Sequence, residues 1–104
     1  MGILDGDDDL LGDITIKKHK NYFEIIFTKS YRCRISDYKK EYCIVEHENE
    51  RGIFDNYFIL YKELNVKNLE ELFCLLMKKP REIIKILTEN DIPIDRLIVE
   101  YYDN

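Results

Sequence analysis

Residues 14–27 read ITIKKHKNYFEIIF, and apolar side chains recur at every second position on both sides of a short polar stretch. After that stretch, Phe23, Ile25 and Phe27 fall on one face. A period of two residues is typical of β-strands. The polar residues 18–21 leave room only for a tight reversal, because parallel neighbours need a long crossover. We therefore predict that these residues form an antiparallel hairpin.

The same period continues along the chain in three further runs. The third run is centred on Cys33 and ends at a turn over Ser36-Asp37, and the fourth and fifth cover residues 42–47 and 53–61. The polar loop 48–52, with a glycine near its end, suits a short hairpin connection. These runs predict a five-stranded antiparallel meander, strongly twisted or closed into a half-barrel.

Beyond the fifth run the apolar spacing becomes helical. Asn68 is the expected N-cap of one helix, and Pro80 suits the first turn of a second helix that ends near Asn90. Residues 94–102 combine helical spacing with a strand-rich composition, and we favour a short helix over a closing strand. The predicted fold class is α+β, with two or three C-terminal helices packed on one face of the sheet.

The length and composition predict one folded domain with an acidic tail. The chain has 104 residues, of which 45% are hydrophobic, and that is the usual size of a single domain. Residues 1–13 read as a flexible acidic tail, and residues 14–104 as the domain. Without a leader-like segment or a long apolar run, we expect a cytoplasmic protein with no membrane partner. The absence of Ala, Gln and Trp suggests an AT-rich source such as a bacterium, a phage or a large DNA virus.

Catalytic and metal-binding patterns are weak in this sequence. Cys33, Cys43 and Cys74 make an odd number and are expected to be reduced thiols. Cys33 and Cys43 are ten positions apart, which does not match the short cysteine spacing of structural zinc sites. A cysteine nucleophile needs a nearby histidine. On an extended strand Cys43 and His47 would lie about 13 Å apart. We expect no metal, no cofactor and no enzymatic activity, and keep a cysteine-dependent enzyme using Cys33 or Cys43 as an alternative.

Charge is unevenly distributed along the chain. The formal net charge is −5, but residues 1–13 carry −5, residues 14–40 carry +6 and residues 41–104 carry −6. The favoured interpretation is that these blocks neutralise one another in the fold. A basic region interleaved with aromatic residues is also typical of nucleic-acid binding. The residues that would serve this alternative are Lys17, Lys18, Lys20, Arg32, Arg34, Lys39 and Lys40.

The functional prediction is a small non-enzymatic protein-binding domain, an accessory modulator or inhibitor of phage, viral or immunity type. It would act as a monomer or homodimer through carboxylates and an outer face rich in tyrosine. If Phe58 and Leu60 face the helices, the neighbouring tyrosines of the fifth run lie on that outer face. The residues predicted to contact the partner protein are Asp7, Asp8, Asp9, Glu46, Glu48, Glu50, Tyr57 and Tyr61.

Overall fold

The computed structural model describes residues 13–27, 32–48, 54–89 and 93–102. The strands are β1 (Asp13–Lys18), β2 (Tyr22–Ile26), β3 (Arg32–Tyr38), β4 (Tyr42–Glu48), β5 (Phe54–Leu60) and β6 (Arg96–Tyr101). A 3₁₀ turn at Tyr61–Leu64 precedes the helices α1 (Leu69–Lys78) and α2 (Pro80–Thr88). None of the helices in these ranges is long and apolar enough to cross a membrane.

The six strands form one mixed sheet in the order β5-β4-β3-β2-β1-β6. Strands β1 to β5 are an antiparallel meander, as predicted, and two helices follow, so the predicted α+β class is confirmed. The preference for a helix over residues 94–102 is wrong, because residues 96–101 form β6, parallel to β1. Pairing with β6 satisfies backbone groups along β1 that would otherwise form an open sheet edge.

One face of the sheet, here called the inner face, holds the hydrophobic core. Alternate strand residues are buried there and share one cluster with apolar residues of both helices. The rings of Phe23 in β2 and Phe73 in α1 meet edge to face at 5.6 Å. The strand residues in this cluster are Ile14, Ile16, Phe23, Ile25, Cys33, Ile35, Cys43, Val45, Tyr57, Ile59, Leu97 and Val99. The opposite positions form the outer face.

Local sequence signals account for the helix ends. The side chain of Asn68 accepts a hydrogen bond from the backbone N–H of Glu71 at 2.9 Å, which confirms the predicted N-cap. The carboxylate of Glu71 accepts one from the backbone N–H of Lys67 at 2.9 Å, one residue before the donor that a capping box uses. Pro80 opens α2 as predicted, and Glu89, with a φ of 60°, follows its last turn. Asn90, the predicted end of α2, lies outside the described residues.

The face presented by β5 is opposite to the one assumed from the sequence. Tyr57 packs against the inner-face cluster, whereas Phe58 is 54% exposed. Tyr61, which was predicted to lie on the outer face, is only 2% exposed. A shift of one residue moves every side chain of a strand to the other face. The alternating positions of β5 are similarly apolar on both sides, so no pattern fixes its phase.

Two strand boundaries, the start of β1 and the end of β3, also differ from those predicted. Asp13, assigned to the tail, is the first residue of β1, and its carboxylate pairs with Arg96 of β6. The predicted turn at Ser36-Asp37 is wrong, because β3 continues to Tyr38. The chain reverses instead at Lys39 and Lys40, with φ of 55° and 63°. Left-handed backbone is unfavourable for residues that carry a Cβ, so glycine or asparagine is the usual choice there.

Replacing this turn by Lys39→Asn/Lys40→Gly should therefore stabilise the fold. Removing the left-handed strain is expected to raise the free energy of unfolding by about 1 kcal/mol. Urea denaturation monitored by circular dichroism measures it. Lys39→Gln/Lys40→Gln is the matched control, since it removes the same charges and keeps the strain. If the free energy of unfolding rose equally in both variants, or in neither, the backbone at Lys39 and Lys40 would not be strained.

Candidate functional site

Charged side chains alternate in sign across the outer face. The strand register places Glu100, Lys17, Glu24, Arg34 and Glu46 side by side on five neighbouring strands. Opposite charges on directly paired residues attract one another. Of the predicted nucleic-acid residues, Lys17 and Arg34 lie in this array, and Arg32 lies beside it in register with Glu48. The outer face is therefore closer to internally neutralised than to basic.

A shallow depression lies in the middle of this array. It has a volume of about 240 Å³ and two arginines in its wall. Arg32 pairs with Glu48 at 3.2 Å and approaches Glu24 at 3.9 Å. The lining residues are Glu24, Arg32, Arg34, Glu46 and Glu48. Glu46 and Glu48, predicted to bind a partner protein, thus border the predicted nucleic-acid residues Arg32 and Arg34.

A ring stack fixes one side of the outer face. The imidazole of His19 lies between the rings of Tyr22 and Tyr102, at centroid distances of 4.3 and 4.9 Å. Its Nε2 is 2.9 Å from a carboxylate oxygen of Glu24. The guanidinium carbon of Arg34 lies over the ring of Tyr22, 4.6 Å from its centre, and the ammonium of Lys17 lies 5.8 Å from the ring centre of Tyr102. The stack joins residues from three strands, from the β1–β2 turn and from the end of β6. Because these segments are separate in the sequence, no local sequence pattern predicts the stack.

Exposed aromatic rings cluster on the other side of the outer face. We call Tyr38, Tyr42 and Phe58 the aromatic patch. Their ring centres are 5.0 to 6.3 Å apart, and Tyr38 and Phe58 are 39% and 54% exposed. A cavity of about 410 Å³ lies against the patch, and Lys39 and Glu41 complete its lining. Sequence reasoning missed Phe58 because it assigned that side chain to the inner face.

A second group of predicted residues gathers at the end of the sheet. We call the cavity there, about 730 Å³ in volume, the lysine depression. Lys18, Lys20 and Lys40 of the predicted basic set line it, and Lys67, which was not predicted, joins them just before α1. The other lining residues are Asn21, Asp37, Asn68, Leu69 and Glu70. Lys67 is far away in sequence and reaches the depression only through the fold.

On the inner face, four groups form a directional hydrogen-bond chain. The hydroxyl of Tyr57 donates to the carbonyl oxygen of Leu87, so its oxygen accepts from Nε2–H of His47 at 3.0 Å. A neutral imidazole carries one proton, which leaves its Nδ1 to accept from the Cys33 thiol at 3.3 Å. Burial lowers the pKa of His47, which favours this neutral form, and burial raises the pKa of Tyr57. The chain links β3, β4, β5 and the end of α2.

The cysteine pairing differs from the one considered in the sequence. Cys33 and His47 face each other in the β3–β4 register, whereas sequence reasoning compared His47 with Cys43. Both cysteines are 0% exposed, and burial raises the pKa of Cys43 to about 11. Among the described residues, no group of three or more His, Cys, Asp or Glu side chains is placed to hold a metal ion.

The predicted protein-binding residues are dispersed. Glu46 and Glu48 lie on the outer face, Tyr57 belongs to the inner-face chain, and the hydroxyl of buried Tyr61 donates to Asp37 at 2.6 Å. Burial and that hydrogen bond raise the pKa of Tyr61. The predicted contacts Asp7, Asp8, Asp9 and Glu50 lie outside the described residues. Comparison with protein-family models, curated proteins and solved structures finds no match to this chain.

The lowered pKa of His47 makes stability depend on pH. Below the ordinary histidine pKa of about 6.5, the unfolded chain takes up a proton that folded His47 resists, so stability is lost as pH falls. Urea unfolding at pH 7.5, 6.5 and 5.5 should show that decline. His47→Asn should abolish the part of this decline that is due to His47, whereas His19→Asn should leave that part unchanged. Equal slopes in the wild type and His47→Asn would contradict the assignment.

Thiol labelling tests the burial of the cysteines. With Cys33 and Cys43 buried and Cys74 exposed, a disulfide reagent at pH 8 should titrate one thiol rapidly in the native protein and three in urea. Cys74→Ser should abolish the fast phase. A fast phase that survives in Cys74→Ser would contradict this picture and favour the cysteine-enzyme alternative.

Proposed function

We propose that this chain is a small non-enzymatic protein-binding domain, an accessory modulator or inhibitor, that contacts its partner through the outer face. The observation that carries the proposal is the aromatic patch. Phe58 is the most exposed of its rings, at 54%, and packs against both tyrosines. Aromatic residues are enriched at the centres of protein interfaces, where they supply large contact areas. The patch therefore provides an anchor for a partner.

The backbone next to the patch supports the same proposal. In the described sheet β5 is an end strand that pairs only with β4, and Phe58 belongs to β5. Natural edge strands usually carry lysine or proline, which discourage pairing with other chains. Residues 54–60, FDNYFIL, contain neither, and their single charged residue is Asp55. An extended segment of the partner that pairs with this edge would bring its side chains onto the aromatic patch.

Charge indicates the chemistry of the partner surface. The chain has a net charge of −5, although on the outer face Glu48 pairs with Arg32 and Glu46 lies in register with Arg34. The acidic residues Asp7, Asp8, Asp9 and Glu50 add to the negative charge of the whole protein. Charges of this kind attract a basic partner over a distance and raise the rate of association. We therefore propose a partner with an apolar strand or pocket bordered by basic side chains.

The cysteine chemistry supports a non-enzymatic proposal. The thiol of Cys33 contacts His47, but the side chain of Cys33 is 0% exposed. It is part of the hydrogen-bond chain that ends at the carbonyl of Leu87. A nucleophile needs access to its reactant as well as a base.

Phe58→Ala tests the role of the patch. The partner is captured from cells that carry the gene, purified, and measured by calorimetry. Full burial of a phenylalanine stabilises a complex by about 1.5–3 kcal/mol, so Kd should rise about 10- to 150-fold. Ile86→Ala is the matched control, because Ile86 is 44% exposed on α2.

Two results would reject the proposal. One is an affinity that Phe58→Ala leaves unchanged, and the other is an equal loss in Phe58→Ala and Ile86→Ala. Thermal unfolding of both variants verifies that any loss comes from the interface, since both side chains are already largely exposed in the free protein.

A further inference from the structure

The lysine depression is the largest of the described cavities that contain several like charges. Four lysines line it, from the end of β1, the β1–β2 turn, the β3–β4 turn and the segment before α1. Two carboxylates, Asp37 and Glu70, line it as well. The lysines come from four separate segments, so the fold itself concentrates positive charge at this end of the sheet. Its net charge has the opposite sign to that of the whole chain.

Both carboxylates are engaged by neighbouring groups. Glu70 pairs with the ammonium of Lys18 at 3.2 Å. Asp37 accepts hydrogen bonds from the hydroxyl of Tyr61 at 2.6 Å and from the backbone N–H of Lys40 at 3.3 Å. Lys18 is further held by the carbonyl oxygen of His19 and by the ring of Phe73. The remaining lysines of the depression, Lys20, Lys40 and Lys67, are exposed side chains.

The β3–β4 turn places two lysines on backbone that other residues adopt with less strain. Lys39 and Lys40 both have positive φ, where glycine or asparagine would be less strained. Strained backbone of this kind is concentrated at functional sites, because there the side chain contributes something that a relaxed residue does not. Lys40 lines the depression directly, and Lys39 is its neighbour. The turn thus presents positive charge at a cost in stability.

We propose that the lysine depression binds the phosphate backbone of single-stranded nucleic acid. Lysine ammonium groups bind phosphates as point charges and release counterions when they do so. Tyr101 pairs in register with Lys18, at the same end of the sheet, and is 71% exposed. An exposed aromatic ring beside a basic groove is the arrangement on which unpaired bases stack.

This site is separate from the surface that binds protein in the function proposed above. The aromatic patch and the lysine depression share no lining residue. The site also differs from the one expected from the sequence. Lys17, Arg32 and Arg34 lie among carboxylates on the outer face, whereas Lys18, Lys20 and Lys40 lie at the end of the sheet with Lys67. The fold thus divides one basic block into a neutralised part and a part that retains excess charge.

The test is fluorescence anisotropy of a labelled 15-residue oligothymidylate with the full chain in 50 mM NaCl. Lys20→Gln/Lys40→Gln should weaken binding at least tenfold. Lys78→Gln/Lys85→Gln, which removes the same charge from exposed positions on α1 and α2, should change it less than twofold. With three or four phosphates contacted, raising the salt to 200 mM should weaken binding about 20- to 50-fold.

The turn provides a variant that separates binding from folding. Lys39→Asn/Lys40→Gly should bind the oligonucleotide more weakly while unfolding at a higher urea concentration than the wild type, so a loss of binding there is not a loss of structure. Tyr101→Ala should lower the affinity for the oligonucleotide about fivefold or more, because base stacking is lost. It should leave the affinity for tripolyphosphate unchanged. Phe58→Ala should leave oligonucleotide binding intact, whatever it does to a protein partner.

Three results would overturn the proposal. The first is no binding of the oligonucleotide at 50 mM NaCl. The second is an equal loss of affinity in the depression variant and in the α1/α2 control, which would mean that only overall charge matters. The third is tripolyphosphate binding at the depression without oligonucleotide binding, which would assign the site to a small polyphosphate.

Discussion

The parallel pairing of β6 with β1 is the interaction on which the rest of this structure depends. A meander alone would leave β1 as an open edge, and β6 closes it after the chain has passed through both helices. Strands β5 and β6 run in the same direction at opposite edges of the sheet, and the two helices connect them. Their apolar side chains share the inner-face cluster with the strands. The same pairing brings Tyr102 onto His19 and Arg96 onto Asp13.

The second organising constraint is the distribution of charge between two surfaces. On the outer face, antiparallel and parallel register together place acids and bases in alternation, and pairs such as Arg32–Glu48 form there at 3.2 Å. At the end of the sheet register determines less of the arrangement, because Lys20 and Lys40 belong to turns and Lys67 to the segment before α1. Lysines from distant segments lie close together there. Of the nearby carboxylates, Asp37 accepts a hydrogen bond from Tyr61 and Glu70 pairs with Lys18. A chain of net charge −5 thus carries a locally basic site.

Much of the architecture could be predicted from local patterns, and most of the site could not. The alternation around Phe23, the capping by Asn68 and the position of Pro80 each depend on a few neighbouring residues. Which face each β5 side chain occupies, and whether residues 96–101 form a strand or a helix, depend on the neighbouring strands. Local sequence patterns do not show which strands become neighbours. A turn at Lys39-Lys40 would have placed Cys33 opposite His47. Placing the turn at Ser36-Asp37 hid that pair.

The hydrogen-bond chain from Cys33 to Leu87 has a consequence for the dynamics of the protein. Its last acceptor is a carbonyl in the final turn of α2, and helix ends are among the first parts of a fold to open. Because the hydroxyl of Tyr57 donates to that carbonyl and also accepts from His47, such an opening would remove one contact from the hydrogen-bond chain that holds the thiol of Cys33. We therefore expect the oxidation rate of Cys33 to depend on how often the C-terminal end of α2 opens. Static accessibility, which is zero for that side chain, gives no measure of it.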